Sequence, residues 1–362
     1  MSTSKKMLAF GSALAITLVA TSACANEPAA NGEAVVLQFA AHSGALQSDG
    51  VAYQAVFDAI KDSSGGTLTI EPYWDGALLP ATEMLSGVAD GRADIGHLIP
   101  LYYPGELPLS QISSVPFVGG TQAAGTTTFA SLFDSNEAFQ NEFSNNDVRP
   151  LTFYMAGPSA LGTSEPVTSV DDLQGLAMRG AGMTGTGYQM AGANVSTLQF
   201  GEIYESLERG LIDGYSSVVF DSIGPSGFYE VAPHVTDTGT GSYALAVPVI
   251  NASAWEGLSD EHQEILAEEF SKMFTKILDV TVGVEDEVCD TILEAGGTVT
   301  AWDETEKQRF EDLVAEDLVA QWKDSVPGDV DADTFYADFQ QIADENDSGD
   351  SEPNGMERCA AK

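Results

Sequence analysis

Basic side chains are scarce in this sequence, and one arginine stands where an α/β protein binds its ligands. Between Lys61 and Lys272 the chain carries four arginines and no lysine. Arg179 ends the apolar segment Leu176–Arg179 and is followed by the glycine-rich turn Gly180–Gly185. Ligands of open α/β sheets bind at strand ends, and a guanidinium can hold a carboxylate through two parallel hydrogen bonds. We therefore expect Arg179 to bind a carboxylate, and Arg179→Lys to weaken binding while leaving the stability of the empty protein nearly unchanged.

The other three arginines have structural explanations. Arg92 and Arg209 lie beside glycines at predicted helix ends, where a cation satisfies terminal carbonyls. Arg149 precedes Pro150 at the entrance to a predicted strand and is expected in solvent. Arg179 also has an alternative to ligand binding, because a buried arginine without a ligand needs an acidic partner. That partner would be Asp171, Asp172 or Glu202.

Aromatic and polar side chains near the predicted strand ends complete a candidate cleft. Rings in such positions wall small pockets, but they also pack in cores and between lobes, and both interpretations stay open here. The predicted ligand-binding set comprises Arg179, Phe200, Ser217, Tyr154, Tyr215, His42, Trp74 and Phe220.

The start of the chain predicts export. Lys5 and Lys6 precede the apolar run Met7–Ala20, which at 14 residues is too short for a membrane span and is typical of a signal peptide. Thr21-Ser-Ala-Cys24 resembles a bacterial lipobox, although Thr21 stands where leucine is usual. We predict a signal peptide over 1–23, lipidation of Cys24 and a polar tether over 24–34. Ordinary cleavage without lipidation is the alternative.

The charge and the motifs exclude several classes of function. With 55 Asp and Glu against 14 Lys and Arg, the formal net charge is −41, which disfavours nucleic acid and anionic membrane surfaces as partners. The four histidines are scattered, and no nucleophile elbow or Cys-x-x-Cys pair appears. The glycines of 180–185 fit a dinucleotide fingerprint, but a lone match is weak, and an exported protein has little access to nicotinamide cofactors. The sequence therefore predicts no enzyme, no cofactor and no metal.

Two further cysteines remain in the exported chain. An oxidising exterior permits a disulfide between Cys289 and Cys359, which would stabilise the fold by about 4 kcal/mol in the chain-entropy model. Two unpaired thiols are the alternative.

The elements that position these residues follow a βαβαβ rhythm, which predicts parallel strands and a two-lobed α/β fold. The predicted strands are 35–40, 67–70, 93–99, 148–155, 176–179 and 195–200, and the predicted helices are 51–60, 81–89, 201–211 and 222–229. A long helix is predicted over 259–294, crossing both lobes and weakening at the Val/Thr-rich stretch 280–284. A last helix is predicted from Asp303 to about Lys323.

These residues resemble the solute-binding component of tripartite ATP-independent periplasmic (TRAP) transporters, the dicarboxylate-binding DctP type. The resemblance runs from about 36 to 325. Its most specific stretches are Asp172-Leu-Gln-Gly-Leu-Ala-Met-Arg179, Leu198-Gln-Phe200-Gly-Glu-Ile-Tyr204 and Arg209-Gly-Leu-Ile-Asp213-Gly214. It implies a periplasmic-binding-protein fold with a long helix over both lobes, carboxylate binding by Arg179 and a pocket wall at Phe200. Two departures are Tyr215-Ser-Ser217 after Asp213-Gly214, where the family has Gln-Glu-Asn-Pro, and Glu165, where many members carry an arginine.

The resemblance implies a protein that captures a small carboxylate and delivers it to one small and one large membrane subunit. The predicted lobes are 35–156 with 245–283 and 157–244 with 284–326, followed by an acidic tail over 327–362. The alternatives are a binding protein of an ATP-driven importer or of a sensor, and an exported hydrolase or lyase.

Overall fold

The computed structural model describes residues 34–328, 330–346 and 353–362. The predicted signal peptide, the predicted lipidation site Cys24 and residues 24–33 of the predicted tether lie outside these ranges. The strands are β1 (Val35–Ala40), β2 (Leu68–Tyr73), β3 (Ile95–Leu98), β4 (Val148–Pro150), β5 (Tyr154–Met155), β6 (Pro158–Thr163), β7 (Ala177–Arg179), β8 (Asn194–Ser196), β9 (Gly214–Tyr215), β10 (His234–Ser242), β11 (Leu245–Asn251) and β12 (Thr298–Ala301). The helices are α1 (Ser48–Ser63), α2 (Met84–Ala89), α3 (Gln122–Ser135), α4 (Glu137–Ser144), α5 (Gly182–Met190), α6 (Ile203–Glu208), α7 (Ala252–Glu256), α8 (Asp260–Ser271), α9 (Met273–Glu294), α10 (Glu304–Ser325), α11 (Ala332–Asn346) and α12 (Gly355–Ala360).

The first sheet has the order β2-β1-β3-β11-β4, and β5 pairs with β11. β1 is parallel to both β2 and β3, while β11 runs antiparallel to β3 and β4. Helix α1 covers this sheet and buries Ala52, Val56 and Ile60. The parallel part of the sheet follows the predicted βαβ rhythm, whereas β11 comes from a part of the chain for which no strand was predicted.

The second sheet has the order β12-β10-β6-β9-β7-β8. Strands β7, β8 and β9 are parallel to one another, and β6 is antiparallel to β9 and β10. Arg179 is the last residue of β7, which lies between β9 and β8. It pairs with Tyr215 of β9 on one side and with Ser196 of β8 on the other.

Several connections within the described residues join the two sheets. The chain passes from β5 to β6 and from β10 back to β11 through short loops, and α9 runs across both halves. On α9, Ile277 is buried in the core of the first sheet, whereas Val288 and Ile292 are buried in the core of the second. The two-lobed α/β fold with a long helix over both lobes is confirmed. In the described part of the chain, no helix is both long and apolar enough to cross a membrane.

The long helix is interrupted at a different place than predicted. α8 ends at Ser271 and α9 begins at Met273, and the amide of Lys272 donates to the carbonyl of Glu269 (3.2 Å). This three-residue hydrogen bond tightens the turn and interrupts the helical ladder. The stretch 280–284, predicted to weaken, is continuous helix, because the cores of both lobes hold α9 on either side of it.

The helix predicted over 222–229 does not form. Two 3₁₀ turns stand there instead, Phe220–Ser222 and Phe228–Glu230. Gly227 between them has a φ of 70°, a left-handed conformation that glycine adopts without steric cost and that no helix contains.

The C-terminal segment, predicted as an acidic tail, contains two packed helices. α11 buries Phe335 and Phe339 against α3, whereas α12 packs on α9 and β12 and buries Met356. Cys359 of α12 forms a disulfide with Cys289 of α9. Helices α11 and α12 therefore pack on the body of the protein, because their apolar side chains join its cores.

Candidate functional site

A cavity lies between the two sheets. Its volume is about 100 Å³, of the same order as the ~150 Å³ cavity that holds a benzene molecule in an engineered protein. The first lobe contributes His42, His97 and Tyr154, and the second contributes Arg179, Phe200 and Phe220. Helix α9, which crosses both lobes, adds Ile277, Thr281 and Glu285. The cavity is therefore built from three parts of the chain that are far apart in sequence.

Arg179 lines this cavity with only 1% of its surface exposed. Its Nε donates to the carbonyl of Leu198 (3.2 Å), and its Nη1 donates to the carbonyls of Ser216 (3.1 Å) and Ser217 (2.7 Å). Nη2 has one long contact, 3.5 Å to the hydroxyl of Tyr102. Three of the five N–H donors are thus bound to backbone, and Nη2 alone has donor capacity for a ligand.

This geometry corrects the expected two parallel bonds to a carboxylate. Nη1 is fully used by two carbonyls, so a ligand carboxylate can accept from Nη2 only. Because the guanidinium ties Leu198, Ser216 and Ser217 together, we now expect Arg179→Lys to destabilise the empty protein as well. Ser217 adopts a left-handed φ of 57°, a conformation that costs free energy in a non-glycine residue and turns its carbonyl toward Arg179.

Arg179 has no acidic partner among the described residues. Asp171 pairs instead with Arg309. Asp172 accepts from the backbone of Thr168 and Ser169, and Glu202 accepts from the amide of Gln199. The acidic partner that the structural alternative requires is therefore not found among the described residues, since all three carboxylates are engaged elsewhere.

Two histidines stack beside the cavity and are neutral. The rings of His42 and His97 lie 5.0 Å apart, and burial lowers the pKa of each to about 3. His97 contacts the hydroxyl of Tyr154 through Nε2 (3.0 Å) and that of Ser43 through Nδ1 (3.3 Å). The buried Nδ1 of His42 has no hydrogen-bond partner. His42 is thus available as a neutral hydrogen-bonding group for a ligand.

Three carboxylates also line the cavity: Asp49 on α1, Asp221 in a 3₁₀ turn and Glu285 on α9. Burial raises the pKa of Asp49 and that of Asp221 to about 6. Burial also raises the pKa of Glu285, although its ion pair with Arg358 (2.7 Å) opposes this shift. The cavity therefore combines one unpaired cation with an acidic region.

Six of the eight predicted ligand contacts line the cavity: Arg179, Phe200, Ser217, Tyr154, His42 and Phe220. The Ser217 hydroxyl, however, is held by the backbone of Ala181, donating to its carbonyl (3.0 Å) and accepting from its amide (3.1 Å). Ser217 contributes its carbonyl to Arg179 rather than its side chain to the pocket.

Trp74 and Tyr215 do not line this cavity, and both predictions are corrected. The Trp74 ring packs on Phe39 and Tyr53 of its own lobe. Tyr215 is fully buried in the core of the second lobe and lies over Gly162, where a Cβ atom would come within 2.1 Å of the tyrosine ring. Strand β9 turns this side chain into the core because successive side chains of a strand alternate between its faces.

The sequence did not single out the acids or Tyr243. Tyr243 lies in the β10–β11 connection, and its hydroxyl donates to the carbonyl of Ser217 (2.6 Å). Asp221 had a usable signal, because it directly follows the predicted contact Phe220. Asp49 and Glu285 had no sequence signal that set them apart from the other acidic residues, of which the chain has 55 in all.

A two-lobed α/β fold enclosing a small cavity between its lobes defines a solute-binding protein of the periplasmic type. The chain belongs to the DctP family, bacterial extracellular solute-binding protein family 7, whose model matches residues 41–324. The resemblance stated from the sequence is thereby confirmed. Members of this family are solute-binding proteins of TRAP transporters.

Curated relatives show the same likeness. The ectoine-binding periplasmic protein TeaA of Halomonas elongata is 25% identical over 305 residues, which cover 81% of this chain and 87% of that protein. A monocarboxylate 2-oxoacid-binding periplasmic protein of a Nostoc species is 30% identical over 217 residues, covering 59% of this chain and 58% of that protein.

Solved structures share the fold. A marine metagenome TRAP solute-binding protein in complex with 3-hydroxybenzoate superposes with a TM-score of 0.79 at 20% identity, covering 88% of this chain and all of that one. The ectoine-binding protein of Halomonas elongata superposes with a TM-score of 0.77 at 21% identity, covering 86% of this chain and 100% of that one.

Proposed function

We propose that this protein captures a small organic acid in the cavity between its lobes and delivers it to the membrane subunits of a TRAP transporter. One observation carries the proposal. Arg179 is buried, has no counterion among the described carboxylates and keeps donor capacity on Nη2, beside an enclosed cavity. A ligand carboxylate would supply the missing negative charge, and a charge-assisted hydrogen bond of this kind contributes about 1.5–3 kcal/mol.

The cavity volume favours a compact ligand. A volume of about 100 Å³ suits a single ring or a short chain. Relatives and structural neighbours are named for binding ectoine, 2-oxoacids, orotate, benzoate and D-glucuronate. These are compact organic acids, and the aromatic walls Phe200 and Phe220 suit a flat ligand.

Delivery requires that the lobes open and close. We assign 35–156 with 245–283 to one lobe and 157–244 with 284–326 to the other, which places one complete sheet in each. Closure around a ligand needs contacts that favour the closed form by a few kcal/mol. Export, and a lipid anchor at Cys24, rest on the N-terminal sequence and are tested by mass spectrometry of the mature N-terminus.

The binding proposal is tested with the purified chain from residue 25 onward. Ectoine, pyruvate, benzoate, orotate and D-glucuronate are added separately, and binding is measured by thermal shift and calorimetry. We expect at least one of these acids to bind saturably with one site. If none binds, and mass spectrometry finds no copurifying organic acid, the proposed capture is refuted. Delivery is tested by uptake into vesicles that contain the two membrane subunits and an ion gradient.

A further inference from the structure

The cavity contains more negative than positive charge. Asp49, Asp221 and Glu285 reach it from α1, a 3₁₀ turn and α9, and Arg179 pairs with none of them. Arg358 of the C-terminal helix α12 pairs with Glu285, so the negative charges that lack a cationic partner are those of Asp49 and Asp221. A ligand with only negative charge would be attracted by Arg179 and repelled by these two groups.

Of these two acids, Asp221 is the less satisfied. Asp49 accepts from the hydroxyl of Ser43 (3.0 Å), and its Oδ2 lies 3.5 Å from Nδ1 of the neutral His97. Asp221 accepts one long hydrogen bond of acceptable geometry, 3.4 Å from the hydroxyl of Ser222, and only weaker contacts from Ser48. A buried carboxylate with so few partners either takes up a proton or waits for a cation.

A second group in this part of the cavity also lacks a partner. Ser48, at the start of α1, is 1% exposed, and its hydroxyl has no hydrogen bond that meets geometric criteria. The hydroxyl and the amide of Ser48 both face Asp221 and lower the pKa of that carboxyl, although neither closes a hydrogen bond of good geometry. Both residues line the cavity. The weakly bonded Asp221 carboxylate, with the unpartnered Nδ1 of His42 in the same cavity, leaves acceptors for a ligand group that donates hydrogen bonds.

We infer that the ligand is dipolar: its carboxylate binds Arg179, and a positively charged nitrogen in the same molecule binds Asp221 with the support of Asp49. This inference rests on the proposed function and deepens it. A dipolar molecule is complementary in charge to this cavity, because it satisfies the cation and the acids at once.

The effect of pH on affinity separates a dipolar from an anionic ligand. The titratable and charged groups that face Asp221 are Asp49, Glu285, Tyr154, Tyr243 and, through Glu285, Arg358. A ligand cation lowers the pKa of Asp221 below its free value of about 6, so binding releases a proton and affinity falls as the pH drops from 7 to 5. A purely anionic ligand raises that pKa, so its affinity rises over the same interval.

The experiment compares two sets of probes by calorimetry at pH 7 and pH 5. The dipolar set is ectoine and L-proline, whose charged nitrogens carry N–H donors, and the anionic set is pyruvate, benzoate, orotate and D-glucuronate. We expect saturable binding in the dipolar set, weaker at pH 5. Binding confined to the anionic set overturns the inference and leaves the proposed function intact. If neither set binds and mass spectrometry finds no copurifying organic acid, the proposed function fails and the inference falls with it.

If both sets bind, two variants decide. Asp221→Asn should weaken the dipolar probe about tenfold or more and leave an anionic probe unchanged or bound more tightly. The control is Asp279→Asn, on an exposed position of α9, which makes the same charge change outside the cavity. Equal losses for both probes in Asp221→Asn overturn the inference. Should that variant fail to fold, the direction of the pH effect on the wild-type chain decides in the same way.

Discussion

The substitution Arg179→Lys tests the centre of the site, because it keeps the positive charge and removes the planar fork of donors. In the native protein three donors of Arg179 hold carbonyls at 3.2, 3.1 and 2.7 Å, and Nη2 is the donor left for a ligand. A lysine ammonium has a different reach and geometry and cannot keep all of these contacts.

The expected magnitudes follow from these contacts. Each hydrogen bond of a charged donor contributes about 1.5–3 kcal/mol, and a buried cation without its acceptors costs more than the bond it lost. If lysine keeps one of the three backbone contacts, two are lost, and the empty protein loses about 3–6 kcal/mol of unfolding free energy. Loss of the Nη2 contact to a ligand carboxylate weakens binding by roughly 10- to 150-fold.

The assay is calorimetry with the probe that binds best, together with urea unfolding of the empty protein. Arg209→Lys is the matched control, since Arg209 is 64% exposed and outside the cavity. It should change neither quantity measurably. Unchanged affinity in folded Arg179→Lys protein would remove this residue from the ligand contacts. Unchanged stability would show that the three hydrogen bonds of Arg179 to carbonyls contribute nothing measurable to the unfolding free energy.

Three further predictions concern the second lobe. Replacing Cys289 and Cys359 together with serine should lower the unfolding free energy by about 4 kcal/mol, because the bridge closes a loop with a sequence separation of 70; a loss below about 1 kcal/mol in urea unfolding would contradict the entropic account. Arg358→Met leaves Glu285 buried without its cation, so it should cost about 3 kcal/mol at pH 8 and much less at pH 4, where that carboxyl is protonated; equal losses at both pH values would argue against an electrostatic origin. Asp221→Asn should stabilise the empty protein by about 1–3 kcal/mol at pH 8. Folding raises the pKa of Asp221 from 3.8 to about 6, so the ionised carboxylate opposes folding fully above about pH 6 and not at all below about pH 4. An Asp221→Asn variant less stable than the wild-type chain at pH 8 would refute this prediction.

Local features of the fold were predictable from the sequence. The strand 35–40 and a helix containing 51–60 were predicted correctly, because hydrophobic periodicity reports which face a segment buries. The helix after Asp303 was also predicted, since an aspartate that caps two backbone amides acts within one turn. The strands β6, β10 and β11 were missed, because their pairing partners come from distant parts of the chain and their patterns carry little local signal.

The same division holds for the site. From its own neighbours, Arg179 was recognisable as a cation at a strand end, since basic residues are rare in this chain and a glycine-rich turn follows it. The way it binds was not recognisable, because the carbonyls of Leu198, Ser216 and Ser217 reach it only through the folded backbone. Tyr215 and Trp74 were misassigned for the same reason, since the face on which a ring lies depends on strand pairing and on neighbouring cores.

The acids of the cavity show this most clearly. In a chain with 55 carboxylates, residue type cannot indicate which three are withdrawn from water. Asp49, Asp221 and Glu285 lie on three elements far apart in sequence, and the closing of two lobes under one long helix brings them into the same cavity. The sequence alone indicated the family, the fold class and Arg179 as the candidate ligand-binding cation. Tertiary structure decided the charges around it, because burial, which raises the free energy of an ionised group, is a property of the folded chain.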